Sequence, residues 1–254
     1  MLSGLLGGLL LAGCATVVPP PRVEVSAARP PEDAWTRVLQ QRVDEQGRVD
    51  FAGLAQDRSD LDRYVAWIYQ HSPASDPGLY PTPAHVLAYH LNAYNALAMY
   101  NILEAGIPQS LSGLKKVRFF YLRKVKIGGE SMTLYAYENE VIRKLGEPRV
   151  HFALNCMSVG CPHLPREPFR AATLDAQLDH EARRFFNEPR NVRVDEAARK
   201  IHLSEILKFY TEDFLKAAPS LPAFVNRYRE PPVPEDYGIA FTDYDWTVNA
   251  QPAP

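Results

Sequence analysis

Two thiols and an imidazole lie close together in the stretch Val150-His151-Phe152-Ala153-Leu154-Asn155-Cys156-Met157-Ser158-Val159-Gly160-Cys161-Pro162-His163-Leu164. Such a set can do nucleophilic or metal chemistry. Val150 to Leu154 reads as a buried strand running into a tight polar loop, a common place for a site. Pro162 suits the first position of a helix. Cys161 would then sit at a helix N-terminus, where the dipole lowers a thiol pKa.

Three readings of Cys156 and Cys161 stand side by side. In an oxidising compartment an even pair of cysteines normally forms a disulfide. Closing so short a loop stabilises by roughly 2 kcal/mol from chain entropy. Alternatively, one cysteine is a nucleophile and His151 its base, oriented by the amide of Asn95 or the carboxylate of Asp245. Finally, His151, Cys156, Cys161 and His163 offer four zinc ligands of suitable softness. The cysteine spacing is not that of a zinc finger, and neither a metal nor a cofactor is assigned. Ser158 lacks the Gly-x-Ser-x-Gly setting of a serine nucleophile. His151 also reads, more plainly, as a hydrogen-bonded core histidine.

These residues need a scaffold, and the clearest element is a helix from Pro83 to Ala105. Thr82 is a good N-cap, Pro83 a good first residue, and Gly106 a good stop. It is apolar nearly all round, which makes it central. Asn92 and Asn95 interrupt it one turn apart. Asn is a poor helix former, so a buried amide there needs a partner. Bracing a loop backbone, or facing a polar cleft together with Tyr94, would supply one.

Around this helix the pattern gives further elements. A helix opens at Pro31 and ends at Gly47, and another runs from Ser59 to Tyr69. Tyr137 to Leu145 and Leu174 to Phe186 are helical, and Ser204 opens one helix reaching Leu215. Leu221 to Tyr228 is a last short helix. Gly128-Gly129 joins a hairpin of Lys124–Ile127 and Ser131–Tyr135, and a second hairpin pairs Asn191–Asp195 with Lys200–Leu203. Gly238 to Phe241 is a final strand. The expected class is α+β: a single domain with a central buried helix, a small sheet with hairpins, and peripheral helices.

The chain has 254 residues, 46% hydrophobic and 23% charged, with a formal charge of -2. That suits one domain with a real core and argues against a nucleic-acid partner. Lys115, Lys116 and Arg118 form a local basic patch, best read as solvated surface. At the N-terminus, Leu2 to Leu11 resembles the apolar part of a secretory signal and is too short to span a bilayer. Leu11-Ala12-Gly13-Cys14 resembles a bacterial lipobox, which implies an acylated Cys14, and Ala15 in place of Asp implies the outer membrane. No Lys or Arg precedes the apolar run, as a signal peptide normally requires. The expected organisation is a signal peptide over 1–13, a Pro-rich tether over 14–31 that packs no core, the domain over 32–249 and a tail over 250–254.

Several pieces together resemble the DUF547 family, a domain of unknown function. They are Leu91-Asn92-Ala93-Tyr94-Asn95-Ala96-Leu97, His151 to Cys156 with Ser158, Cys161-Pro162 and Leu164, Leu203-Ser204-Glu205-Ile206 with Phe209-Tyr210 and Asp213-Phe214, and Tyr244-Asp245-Trp246. The resemblance covers about Ala84 to Asn249 and implies a shared domain without a substrate. His90 and His163 depart from the pattern. The expectation is a periplasm-facing, lipid-anchored protein of the outer membrane. Its first reading is a papain- or transglutaminase-like thiol hydrolase or acyl-transfer enzyme on peptide-like envelope material. The alternative is a non-catalytic binding or assembly module with a Cys156–Cys161 disulfide. The oligomeric state is not legible.

Overall fold

The computed structural model describes residues 16–25 and 29–252. The apolar leader and Cys14 lie outside the described residues. The first element is a short strand, β1 (Thr16–Val17). Helix α1 (Glu32–Arg42) buries Ala34, Trp35, Val38 and Leu39 on one face. It stops at Val43, which bridges to Val49, so Gly47 lies in the following turn rather than at the helix end. Helix α2 (Phe51–Gln56) is capped by Asp50, whose side chain accepts the Gly53 N–H. Helix α3 (Ser59–Gln70) follows.

Helix α4 (Pro83–Glu104) has the expected ends. The Thr82 side chain accepts the His85 N–H, Pro83 opens the first turn, and Gly106 takes the left-handed conformation at φ +76°. Every residue from Leu87 to Ile102 is buried, so α4 is the axis of the larger core, packed against α3 and the residues that α1 buries.

Helix α5 (Leu114–Val117) runs into a π-helical turn, Arg118–Leu122, and then the hairpin of β2 (Arg123–Ile127) and β3 (Glu130–Thr133). Gly128 and Gly129 both have positive φ at the turn. Helix α6 (Leu134–Ala136) continues through wider and tighter turns to Leu145, where Gly146 stops it in the left-handed conformation. Helix α7 (Leu174–Asn187) precedes a second hairpin, β4 (Val192–Asp195) and β5 (Lys200–Ser204). Helices α8 (Glu205–Phe209), α9 (Thr211–Ala217) and α10 (Leu221–Val225), and strand β6 (Gly238–Thr242), complete the chain.

The class is α+β. Instead of one small sheet there are two, each of three strands with one antiparallel and one parallel pairing: β1-β2-β3 and β4-β5-β6. A second, aromatic core gathers around Phe152, whose ring lies 4.8 Å from both Phe185 and Phe186 and 5.6 Å from Phe214.

Three local expectations are overturned. Val150–Leu154 is not a strand: Pro148–Phe152 is a 3-10 helix, started by Pro148 and capped by the Glu147 side chain on the Arg149 N–H. An apolar run of this length looks the same in either form. No helix begins at Pro162, so no helix dipole acts on Cys161. The helix opened at Ser204 breaks at Tyr210, which ends α8 and starts α9 with φ near -120°.

The expected tether also differs. Val18 is buried in the main core, and Val25 packs against it. Hydrogen bonds from Tyr69 and Tyr100 hold the Val18 and Pro19 carbonyls. The tail is likewise docked, with Gln251 donating to the Val49, Arg42 and Arg48 carbonyls. Among the described residues no helix is long and apolar enough to cross a membrane.

Candidate functional site

The cysteine loop is held from three sides. From α4, the Asn95 amide donates to the Ala153 carbonyl at 3.0 Å and accepts the Asn155 N–H at 2.7 Å. Across the loop, Asn155 donates to the Pro162 carbonyl and accepts the Met157 N–H. From the C-terminal segment, the Thr247 and Asp245 carbonyls accept the Val159 and Gly160 N–H groups, and the Asn249 N–H donates to the Met157 carbonyl. Met157 is left-handed at φ +69°, a conformation that strains a residue with a side chain.

This clamp brings Tyr244 over the sulfurs. Gly160 makes room for it, since a Cβ there would lie 2.8 Å from the Tyr244 ring. Both cysteines are free thiols, so the expected disulfide is not formed. The sulfurs stand 2.8 Å apart, whereas a bonded pair is separated by about 2.05 Å. The Cys161 sulfur accepts the Cys156 N–H at 3.0 Å and the Tyr244 hydroxyl at 3.1 Å, with the Ser158 hydroxyl at 3.4 Å.

The two thiols are therefore driven apart. Burial pushes Cys156 well above its usual value, and its hydrogen bond to Cys161 adds to the shift. Burial also acts upward on Cys161. There the hydrogen bonds from Cys156, Ser158 and Tyr244 outweigh it and bring the thiol down to about 6. Donors aimed at a sulfur favour its thiolate.

His151 has a different orienter from either one expected. Its Nε2 lies 3.0 Å from Asp213, and its ring stacks on Tyr210 with centroids 3.8 Å apart. The hydrogen bond from His151, helped by Arg143 against burial, holds Asp213 well below the usual carboxylate range. An ionised Asp213 accepts from Nε2–H, so the neutral ring keeps its lone pair on Nδ1. That atom is buried and has no hydrogen-bond partner among the described residues. No hydrogen bond joins His151 to either sulfur among the described residues.

Cys156, Cys161, His151 and Tyr94 all line one cavity of about 320 Å³. In its wall, Glu138 accepts the hydroxyls of Tyr94 and Tyr210. Tyr121, Tyr135 and Phe209 form an exposed aromatic rim. Ser158 is buried beside the sulfurs.

Other expected site residues lie elsewhere. Asn95 is a brace, and Asp245 is exposed and accepts the Thr247 N–H. Neither orients His151. Asn92 braces a second loop, exchanging hydrogen bonds with the Phe169 backbone and accepting from Trp35. His163 turns away from the cysteines into another cavity, with Nδ1 3.8 Å from Glu181. Among the described residues no three His, Cys, Asp or Glu side chains are grouped as a metal would require.

Sequence reasoning assigned no role to Asp213, Tyr210, Tyr244, Arg143, Glu138 or Lys116. Tyr210, Asp213 and Tyr244 stood among the residues that carry the family resemblance, which was the available signal. Lys116 is half-buried against the Trp246 ring and lines the cavity, so it is not the solvated charge expected. No curated protein and no solved structure matches the chain. Residues 82–186, from the start of α4 through the cysteine loop to the end of α7, match the family described as a protein of unknown function, DUF547.

Proposed function

We propose that the chain is a thiol-dependent hydrolase or acyl-transfer enzyme with Cys161 as nucleophile. One observation carries this reading: a thiol lowered to about 6 by aimed donors shares a cavity with an imidazole whose free Nδ1 is set by Asp213. Low-pKa thiols poised near a histidine are the usual means of covalent acyl chemistry.

In this reading the proton of Cys161 passes to Nδ1 of His151 through a water or a substrate group in the cavity that both residues line. The thiolate attacks a substrate carbonyl and forms an S–C bond. As the intermediate collapses, the C–N or C–O bond breaks and the leaving group takes the proton from His151. Water or an acceptor amine then attacks the thioester, its proton goes to His151, and Cys161 leaves as thiolate. Asp213 keeps the ring oriented and balances the imidazolium. The aromatic rim and the cavity size suit a peptide-like substrate.

Native-state alkylation with iodoacetamide, mapped by mass, tests the reading. Cys161 should alkylate first, at a rate rising through about pH 6. Tyr244→Phe removes a donor and should move that profile upward. If neither thiol reacts faster than in the unfolded chain, the enzyme reading fails and a non-catalytic module is left.

We also propose that Cys14 carries a lipid and that the protein faces the periplasm from the outer membrane, on the strength of Leu11-Ala12-Gly13-Cys14. Cys14→Ala should leave the protein unprocessed by the lipoprotein peptidase. Normal cleavage with unchanged membrane fractionation would remove this proposal.

A further inference from the structure

The cavity holds a cation that the chemistry above does not use. Among the described residues, Lys116 has no carboxylate within ion-pair distance, and its ammonium lies 3.7 Å from the centre of the Trp246 ring. Trp246 packs on Tyr244 at 4.4 Å, and Tyr244 donates to the Cys161 sulfur. Lys116 is thus tied to the nucleophile through two ring contacts. The other charged groups in the cavity are already engaged. Arg143 is held by Asp213 and Asn139, and Glu138 by two tyrosines. Glu205, the carboxylate whose charge acts on Lys116, is occupied by Lys208 and the Tyr244 N–H.

A lysine pinned on an aromatic face, half-buried and without a counter-ion, is positioned to take one from a ligand. A phosphate dianion usually gathers several donors or a free Arg fork, and the Arg143 fork is already turned to Asp213 and Asn139 through Nε and Nη1. A single planar negative group fits better. Resting on the thiol-enzyme reading, we propose that Lys116 is a specificity-determining residue and that the substrate carries a free carboxylate close to the carbon that Cys161 attacks. Burial draws the Lys116 ammonium below its usual pKa, with the nearby Cys156 and Glu205 acting the other way. A carboxylate bound there would relieve the same desolvation.

Iodoacetate and iodoacetamide provide the test, because they deliver the same carbon with the same leaving group and differ only in carboxylate against amide. The rate ratio of iodoacetate to iodoacetamide at Cys161 should be higher than in the unfolded chain at the same pH. It should fall roughly fivefold in Lys116→Met, the weight of one partly exposed charge contact. Lys116→Arg should keep the ratio high, and Lys115→Met, a change in the adjacent exposed lysine, should leave it unaltered. If Cys161 reacts with both reagents and Lys116→Met leaves the ratio where it was, the carboxylate proposal is overturned while the nucleophile stands. If Cys161 reacts with neither, the enzyme reading itself fails.

Discussion

His90 lies on the buried face of α4, its Nδ1 2.8 Å from the Tyr137 hydroxyl and its ring edge-on to Tyr89 and Tyr137. Burial lowers its pKa to about 4, so the fold prefers the neutral ring. The unfolded value is about 6.5. Between the two values the unfolded chain binds a proton that the folded chain refuses. Stability from this group is therefore complete above about pH 6.5 and declines as pH falls towards 4. From pH 7 to pH 5 the loss should be about 2 kcal/mol. His90→Gln keeps a polar partner for Tyr137 without the titration. Urea melts at the two pH values should show a flatter dependence in the variant by that amount. Equal slopes would mean that His90 does not titrate in this window.

At the scale of the element, α4 works as a rail that positions the cysteine loop. Asn95 uses both ends of its amide on Ala153 and Asn155, one donation and one acceptance at two backbone groups just ahead of Cys156. Asn95→Leu improves helix propensity by roughly half a kcal/mol. It also strands a buried N–H and a buried C=O, which should dominate and give a net loss of about 1–3 kcal/mol in a urea melt. A variant as stable as the parent would show that the loop does not depend on this brace. The helix itself was legible because Thr82, Pro83 and Gly106 mark its ends locally, and two buried asparagines announced a bracing task. The loop's own geometry was not legible. Val150 to Leu154 reads alike extended or coiled; Pro148 and the Glu147 cap start the 3-10 helix, and Phe152 packs from it among Phe185, Phe186 and Phe214. Asp213 is 62 residues from His151, and Tyr244 is 83 from Cys161. Such partners are chosen by how α9 and the C-terminal segment dock, which no local pattern encodes. Reading Asp245 as the orienter of His151 missed Asp213 on α9; the C-terminal segment reaches the site through its neighbour Tyr244 instead, which donates to the Cys161 sulfur.

At the scale of the whole molecule, the chain's first described residues strap the domain instead of hanging from it. Thr16 and Val17 pair in parallel with Arg123 and Lys124, and the Val18 N–H donates to the Lys124 carbonyl at 2.7 Å. Val18 then enters the core with 2% exposure. A Pro-rich composition with Pro19, Pro20 and Pro21 suggested a tether because such a tract is semi-extended and packs no core of its own. One apolar residue ahead of them is enough to fasten the segment. If Cys14 is acylated, the lipid lies two residues before β1, and the hairpin of β2 and β3 is held near the bilayer. The docking can be weighed without the lipid. Val18→Ala removes two methyl groups from the core and should lower stability by about 1.5 kcal/mol. The midpoint in urea should move while its slope stays constant, since the same surface is exposed on unfolding. A true tether contributes nothing to the melt, so an unmoved midpoint would return residues 16–25 to that role. The same result would free a lipid on Cys14 from holding this face of the domain to the membrane.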